Sequence, residues 1–289
     1  MKISIITASY NYENFIKDTI QSILNQTYQD WELIVIDDCS TDNSVEVIKS
    51  FKDDRIKLIV NEKNLGLAAT VRRGIENATG EWIAFLESDD IWEKDCLEKR
   101  VEVAKKYPDI GLIFNSVEMF GEQKKLDRLK KVIEANVKRL KKNTFPTNIF
   151  KQIIYFNVVL TFSAAMINSK VLLETNTTVD KELDWWMFIH LARNYDVYYI
   201  PEPLTKWRMH SDSYINKKSK KVSIPINLQS MVDIYKTEKE PALIWDTLLV
   251  LYREKGRLVR KLKSIIGLPL REEYMEYKFV KSLQKFFNK

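Results

Sequence analysis

The sequence predicts an α/β fold, a mostly parallel sheet with flanking helices, followed by a C-terminal helical segment. Three observations lead there. Four short β-branched or aromatic runs, at 2–7, 31–36, 55–60 and 82–86, alternate with stretches of helical period, the β-α-β-α-β-α-β order of a parallel sheet. The run at 82–86 is apolar without a break, as befits a strand buried on both faces. Three of the four runs lead into polar residues, Ser9-Tyr10-Asn11, Asp37-Asp38 and Asp89-Asp90. In a parallel sheet those ends lie on one edge, where α/β folds bind their ligands.

Each element has its own signal. After the first strand, Asn11 or Asn14 can cap a helix whose apolar stripe is Ile16, Ile20, Ile23 and Leu24. The second strand leads to a helix with Val45, Val47, Ile48 and Phe51, for which Asp42 is a better cap than Asp38. The third alternates, with Ile56, Leu58 and Val60 expected inward. A loop over 61–66 and a helix over 67–78 lead to the fourth. A helix follows near 93–107, stopped by Pro108, then a strand over 110–120. Residues 121–142 read as a lysine-rich helix with Leu126, Leu129, Val132, Ile133, Asn136, Val137 and Leu140 on one side. A strand is expected at 163–167, an aromatic helix at 180–194, a strand at 197–200 and an extended return at 201–210. The resulting division is 1–120, 121–213 and a basic helical region at 214–289.

Composition narrows the function. A chain of 289 residues, 45% hydrophobic and 30% charged, can bury a sizeable core. No apolar run approaches the roughly 18 residues that span a bilayer, and the start of the chain lacks the apolar length of a signal peptide. Cys39 and Cys96 provide neither a disulfide framework nor a zinc spacing, so a reducing cytoplasm is expected. There is no glycine-rich phosphate cradle, so phosphates would be met by a metal or by cationic side chains. The net charge of +6 is uneven: residues 121–150 hold nine Lys and Arg against three Asp and Glu, and residues 251–289 eleven against four. An acidic body with two basic segments points to a polyanionic or membrane surface.

The stretch Glu87-Ser88-Asp89-Asp90 is the chemical centre of this reading. Clustered carboxylates repel unless a proton or cation neutralises them, and a hard divalent cation with oxygen ligands does so directly. Asp38, on the same edge, can accept a hydrogen bond from a base N–H or a ribose hydroxyl.

The blocks Ile5-Ile6-Thr7-Ala8-Ser9-Tyr10-Asn11, Val35-Ile36-Asp37-Asp38-Cys39-Ser40-Thr41-Asp42, Asn64-Leu65-Gly66 and Phe85-Leu86-Glu87-Ser88-Asp89-Asp90 together resemble the GT-A family 2 glycosyltransferases. The resemblance covers about 1–120 strongly and continues more weakly to about 213. It implies a nucleotide-diphospho-sugar donor (a UDP-sugar first), a divalent metal (Mn2+ or Mg2+) and inversion at the anomeric carbon. By position it implies that Thr7, Ser9, Asp38, Asn64, Ser88 and Asp89 hold the donor and that Asp90 ligates the metal. Within Trp207-Arg208-Met209-His210 it gives Arg208 to the phosphates and His210 to the metal. Within Glu182-Leu183-Asp184-Trp185-Trp186 it makes Asp184 the catalytic base, and a carboxylate beside two indoles suits that role. The chain departs from the family's pattern at Glu87 (usually Asp), Cys39 (commonly Gly), Arg73 (usually Asn) and Leu183 (usually Glu). His190 is read as structural.

The last segment carries two amphipathic patterns, Leu258, Val259, Leu262, Ile265 and Ile266, then Phe279, Val280, Leu283, Phe286 and Phe287. They fit an interfacial membrane anchor or packing against the chain's own core or a second subunit. The expected partners are the nucleotide-sugar donor, a glycan acceptor that can be lipid-linked, an anionic membrane surface on the inner face of the cell membrane and a homodimer mate, with no nucleic acid. The expected function is sugar transfer in bacterial polysaccharide, lipooligosaccharide or glycoconjugate synthesis. Its rivals are a degenerate sugar-nucleotide-binding subunit and a sugar-phosphate nucleotidyltransferase. The rival nucleotidyltransferase would usually need a glycine-rich loop that is absent between Ile6 and Ile16.

Overall fold

The computed structural model describes residues 1–174 except 155, residues 183–211 and residue 213. Contacts divide the chain into a unit of Met1–Lys220 and a unit of Lys221–Lys289, and the described residues all belong to the first. The amphipathic patterns at 258–266 and 279–287, and Glu182, lie outside the described residues.

The elements run β1 (Ile3–Ser9), α1 (Ile16–Leu24), β2 (Trp31–Asp37), α2 (Ser44–Lys49), β3 (Ile56–Val60), α3 (Leu67–Glu76), β4 (Trp82–Phe85), β5 (Ile91–Trp92), α4 (Cys96–Lys106), β6 (Leu112–Gly121) and α5 (Gln123–Leu140). They continue with α6 (Phe150–Ile153), a 3-10 turn at Phe162–Ala164, β7 (Ala165–Asn168), α7 (Ser169–Glu174), α8 (Leu183–Asn194) and β8 (Val197–Met209). The strands form one sheet in the order β3-β2-β1-β4-β7-β6-β8-β5. β1 pairs in parallel with β2 and β4, and β2 with β3, so the βαβ half of the reading holds. β7 then runs antiparallel to both β4 and β6, while β6 and β8 are parallel.

The core follows from the strand pattern. All four residues of β4 are buried, which is what a central strand covered on both faces requires. Ile3, Ile5, Leu33 and Val35 pack with Ile16, Ile20 and Ile23 of α1. Each such side chain contributes roughly 1.5–3 kcal/mol on full burial. The opposite face admits α3 closely because of Gly74, where a Cβ would stand 2.6 Å from Ile6 Cγ2.

Five expectations change. α1 has no side-chain cap; Asn11 instead adopts φ 59° and its Oδ1 accepts the Thr41 amide at 2.8 Å, tying two loops of the sheet edge together. Val60 is 44% exposed rather than inward, because β3 is the edge strand. α4 begins three residues late, since 91–92 pair with β8 and the Glu93 amide donates to Leu204 O at 2.9 Å. The largest change is β8: the expected strand and extended return are one strand of 13 residues, held against β6 across an irregularity at Asn115, Ser116 and Val117. The N-cap position of α2 is Asn43, without a side-chain cap; Asp42, one residue earlier, accepts the Ser44 amide at 2.9 Å through its Oδ1.

Candidate active site

The parallel register brings the polar strand ends together: Ser9 lies beside Asp37, and Ile6 beside Phe85, so 87–90 continue from the same edge. Beyond that edge lies a cleft of about 1120 Å³. Its lining includes Ser9, Asp38 and Asn64, then Glu87, Ser88 and Asp89 of the acidic loop, and Asp184 and Trp185 of α8.

Asp38 is built into this lining. Its Oδ1 accepts from Asn61 Nδ2 at 2.8 Å and the Leu65 amide at 2.8 Å, and its Oδ2 accepts from the Gly66 amide at 2.9 Å. Gly66 makes this turn with φ 84°, a conformation that costs a residue with a Cβ. Arg73, at one of the positions where the chain departs from the family pattern, donates to Asn61 Oδ1 and so fixes that amide's orientation. Arg73 thereby helps hold the loop. Cys39, the other turn departure, adopts φ 65°, a left-handed conformation at a side chain that does not favour it.

The acidic loop is held from two later parts of the chain. Thr161 Oγ1 donates to Glu87 Oε2 and lies 3.4 Å from Asp90 Oδ2. Ser163 Oγ accepts the Glu87 amide at 3.0 Å and hydrogen-bonds the Asp90 carboxylate. The Ser163 carbonyl takes three donors, Trp92 Nε1 at 2.7 Å, Arg100 at 2.9 Å and Thr205 Oγ1 at 3.1 Å. From β8, the Arg208 amide donates to Asp90 Oδ1 at 2.9 Å, Arg208 Nε donates to Asp89 O at 2.7 Å, and His210 Nε2 lies 2.8 Å from Asp89 Oδ2. The His210 ring rests 4.4 Å from that of Phe15.

The electrostatics follow from this crowding. Burial, then Asp89 and Asp184, push the Glu87 carboxyl up to about 8, with the Thr161 hydroxyl opposing. Burial, then Asp89 and Glu87, hold Asp90 well above the usual carboxylate range, against the Ser163 and Arg208 hydrogen bonds. The crowding disfavours the charged form of both carboxyls, a penalty that a proton or a cation beside them would relieve.

A family model described as "Glycosyl transferase family 2" matches residues 4–172. The chain belongs to that family. A relative in Methanocaldococcus jannaschii, the uncharacterized glycosyltransferase MJ1057, is 30% identical over 227 residues, 75% of this chain and 74% of that one. The putative teichuronic acid biosynthesis glycosyltransferase TuaG of Bacillus subtilis is 43% identical over 102 residues, 35% of this chain and 40% of its own. WfgD of Escherichia coli, a UDP-Glc:alpha-D-GlcNAc-diphosphoundecaprenol beta-1,3-glucosyltransferase, is 41% identical over 119 residues, 41% of this chain and 47% of its own. The chain thus spans less than half the length of these last two relatives. Among solved structures, S. aureus TarS 1-349 in complex with UDP-GlcNAc superposes with a TM-score of 0.65 at 17% identity, covering 96% of this chain and 78% of that one. That likeness shows the GT-A fold.

The residues expected at the site fall in two groups. Ser9, Asp38, Asn64, Ser88, Asp89 and Asp184 line the cleft, as does Glu87, one of the positions where the chain departs from the family pattern. Thr7, Asp90, Arg208 and His210 do not line it. Thr7 is fully buried in the sheet. Asp90 is fully buried too, because Ile91 enters β5 and turns the preceding side chain inward; Asp89 is the carboxylate that reaches His210. The Arg208 guanidinium braces Asp89 O and reaches Asp18 Oδ2 at 3.1 Å, so it props the acidic loop from behind. Thr161 and Ser163 escaped the sequence reading altogether: each is a lone hydroxyl in an apolar run with no motif around it.

His190 is structural as read. It stacks on Trp186 at 4.0 Å, and burial, with Arg193 adding, pulls it down to about 4.

Proposed function

We propose that the chain is an inverting glycosyltransferase that moves a sugar from a nucleotide-diphosphate donor, a UDP-sugar first, to a glycan hydroxyl. The observation that carries this reading is that Asp184, the Glu87-Ser88-Asp89 loop and Ser9, Asp38 and Asn64 all line one cleft. The last three bind and orient the nucleoside. Ser9 suits this, since the residue is 2% exposed and lines the cleft, and its hydroxyl has no partner within the protein. Asp38 holds the 61–66 loop with three accepted hydrogen bonds and also lines the cleft.

Asp89, which lines the cleft and is held by His210, is the residue that would hold a divalent cation. Among the described residues no three His, Cys, Asp or Glu side chains form a metal cage on their own. That suits Mg2+ or Mn2+, which are commonly held by one or two protein groups together with substrate phosphates. Bound there, the ion would supply charge to the departing nucleoside diphosphate. Asp184 accepts the proton of the acceptor hydroxyl as it attacks the anomeric carbon, and no covalent nucleophile is needed. Support for metal use comes also from PcManGT of Pyrobaculum calidifontis, a mannosyltransferase solved in complex with GDP-Man and Mn2+, which superposes with a TM-score of 0.53 at 16% identity over 97% of this chain and 84% of that one.

The relatives' names favour cell-surface polysaccharide synthesis. Among the described residues no helix is long and apolar enough to cross a membrane, and we infer peripheral attachment through residues 251–289. The deciding experiment incubates the protein with a panel of nucleotide sugars and Mn2+ and analyses the nucleotide released. Nucleoside diphosphate supports sugar transfer; pyrophosphate would make the protein a nucleotidyltransferase. Metal-dependent donor binding without turnover on any acceptor would make it a binding subunit.

A further inference from the structure

We propose that Arg100 is a positioning residue for the transfer reaction: acting through Ser163, it sets where the 87–90 loop holds its carboxylates. This rests on the glycosyltransferase reading.

Arg100, on α4, is the largest side chain to be fully buried among the described residues. Burial pulls its pKa down, and no carboxylate among the described residues offsets that. Its Nη1 has no hydrogen-bond partner. A buried cation without a counter-charge is costly, and packing alone would be served better by an apolar side chain of similar volume. The guanidinium is used for its geometry instead. Its Nε donates to Asn115 Oδ1 at 3.0 Å, and its Nη2 to the same oxygen and, at 2.9 Å, to Ser163 O. The Trp92 ring centre lies 4.8 Å from the guanidinium carbon. A planar fork of fixed donors serves acceptors on two elements at once, which the point charge of an ammonium does not.

The two acceptors are themselves placed. Asn115 sits at the irregularity between β6 and β8, and its Nδ2 donates to Ser116 O at 2.7 Å and Thr205 Oγ1 at 3.0 Å. The Ser163 carbonyl, which Trp92 and Thr205 also reach, is thereby pinned from α4, β5 and β8. The Ser163 side chain carries the acidic loop: its Oγ accepts the Glu87 amide at 3.0 Å and hydrogen-bonds the Asp90 carboxylate. Those two contacts bracket Asp89, the residue that would hold the cation. A shift of the Ser163 carbonyl moves Oγ, and with it both ends of the loop. The hydrogen bonds of Asp38 lie in the 61–66 loop, outside this chain of contacts.

The test uses the full chain. Arg100→Met keeps the bulk and removes the donors; Arg100→Lys keeps the charge and removes the fork. Electron paramagnetic resonance of free Mn2+ gives the metal affinity in the presence of UDP, calorimetry in EDTA gives the metal-free UDP affinity, and thermal denaturation checks the fold. Both variants should weaken Mn2+ binding about 10–100-fold, as for a residue that supports a metal ligand from behind, and leave metal-free UDP affinity unchanged. In a Ser163→Ala background, Arg100→Met should add little, because the hydroxyl through which it acts is gone. Thr205→Val removes another donor to the same carbonyl and should also weaken Mn2+ binding; it carries the test should both Arg100 variants fold poorly. Unchanged Mn2+ affinity, full rescue by Arg100→Lys, additive losses with Ser163→Ala, a parallel fall in metal-free UDP affinity, or a wild type that binds no Mn2+ beside UDP would each overturn the positioning role. Nucleotide-sugar turnover by the wild type keeps the two readings apart. Turnover with Mn2+ affinity indifferent to these variants sinks only the role of Arg100, whereas no turnover of any nucleotide sugar sinks the transferase reading itself.

Discussion

Replacing Asp38 by Asn tests whether this carboxylate fixes the 61–66 loop. In the wild type it accepts three hydrogen bonds, two at Oδ1 and one at Oδ2. Asn is nearly isosteric and keeps one acceptor oxygen. Placed to serve Asn61 Nδ2 and the Leu65 amide, that oxygen leaves Nδ2 pointing at the Gly66 N–H, donor against donor. The reverse orientation strands two donors instead of one. Asn61 has no means to adapt, because Arg73 holds its Oδ1. The side chain is 4% exposed, so solvent does little to compensate. One charge-assisted bond is lost and the other two become neutral ones. At about 1.5–3 kcal/mol for the first and some tenths for each of the others, the expected cost is about 2–3 kcal/mol. Amide hydrogen exchange read at Leu65 and Gly66 localises the effect, and urea denaturation measures it. Both amides should exchange faster, and donor affinity should fall with them. A loss below about 0.5 kcal/mol with unchanged protection at both amides would refute the reasoning.

Three further outcomes are expected. Asp184→Asn should retain donor affinity in a thermal-shift titration and lose about 10²–10⁴ in transfer rate; lost affinity with normal turnover at saturation would make Asp184 a binding residue. Glu32 is raised by burial but pulled down overall, to about 2, by hydrogen bonds from Ser4, Thr79 and Lys2, so its folded pKa lies below the ordinary 4.5. Its contribution is therefore complete above pH 4.5 and is lost as pH falls toward 2; Glu32→Gln should flatten that part of the acid-stability curve. Gly80→Ala should destabilise by about 1–3 kcal/mol in denaturant titration, since its Cβ would stand 2.5 Å from Ser4 N and 2.7 Å from Lys2 O, backbone atoms that have little room to move.

The first ninety residues were legible because their elements are local and regular. Each strand is a short apolar run and each helix shows its period, so β1 to β4 and their shared polar edge follow from pattern alone. The second half is legible only in pieces. β7 inserts antiparallel between β4 and β6, and no periodicity records which strand neighbours which. β8 looked broken at Pro201 and Pro203 because proline removes ladder donors, yet the chain passes them at the irregularity opposite Asn115 and Ser116. At the site, residue types pointed to the right loop. Which carboxylate faces the cleft did not follow from them: that Asp89 faces out and Asp90 in depends on β5, two residues long and paired with a strand more than a hundred positions away.

The acidic loop has a consequence for how the protein is made. Its braces come from far along the chain: Thr161 is 74 positions from Glu87, the Arg208 amide 118 from Asp90, and His210 121 from Asp89. A ribosome releases these residues in order, and pairings of such long separation form late. The βαβ units around β1 to β4 can assemble while synthesis continues, but the loop at their edge stays unbraced until the strand ending at Met209 has emerged and docked. A nascent chain shorter than this would have the sheet without the working geometry of its rim, so the site matures only as translation of the whole unit finishes.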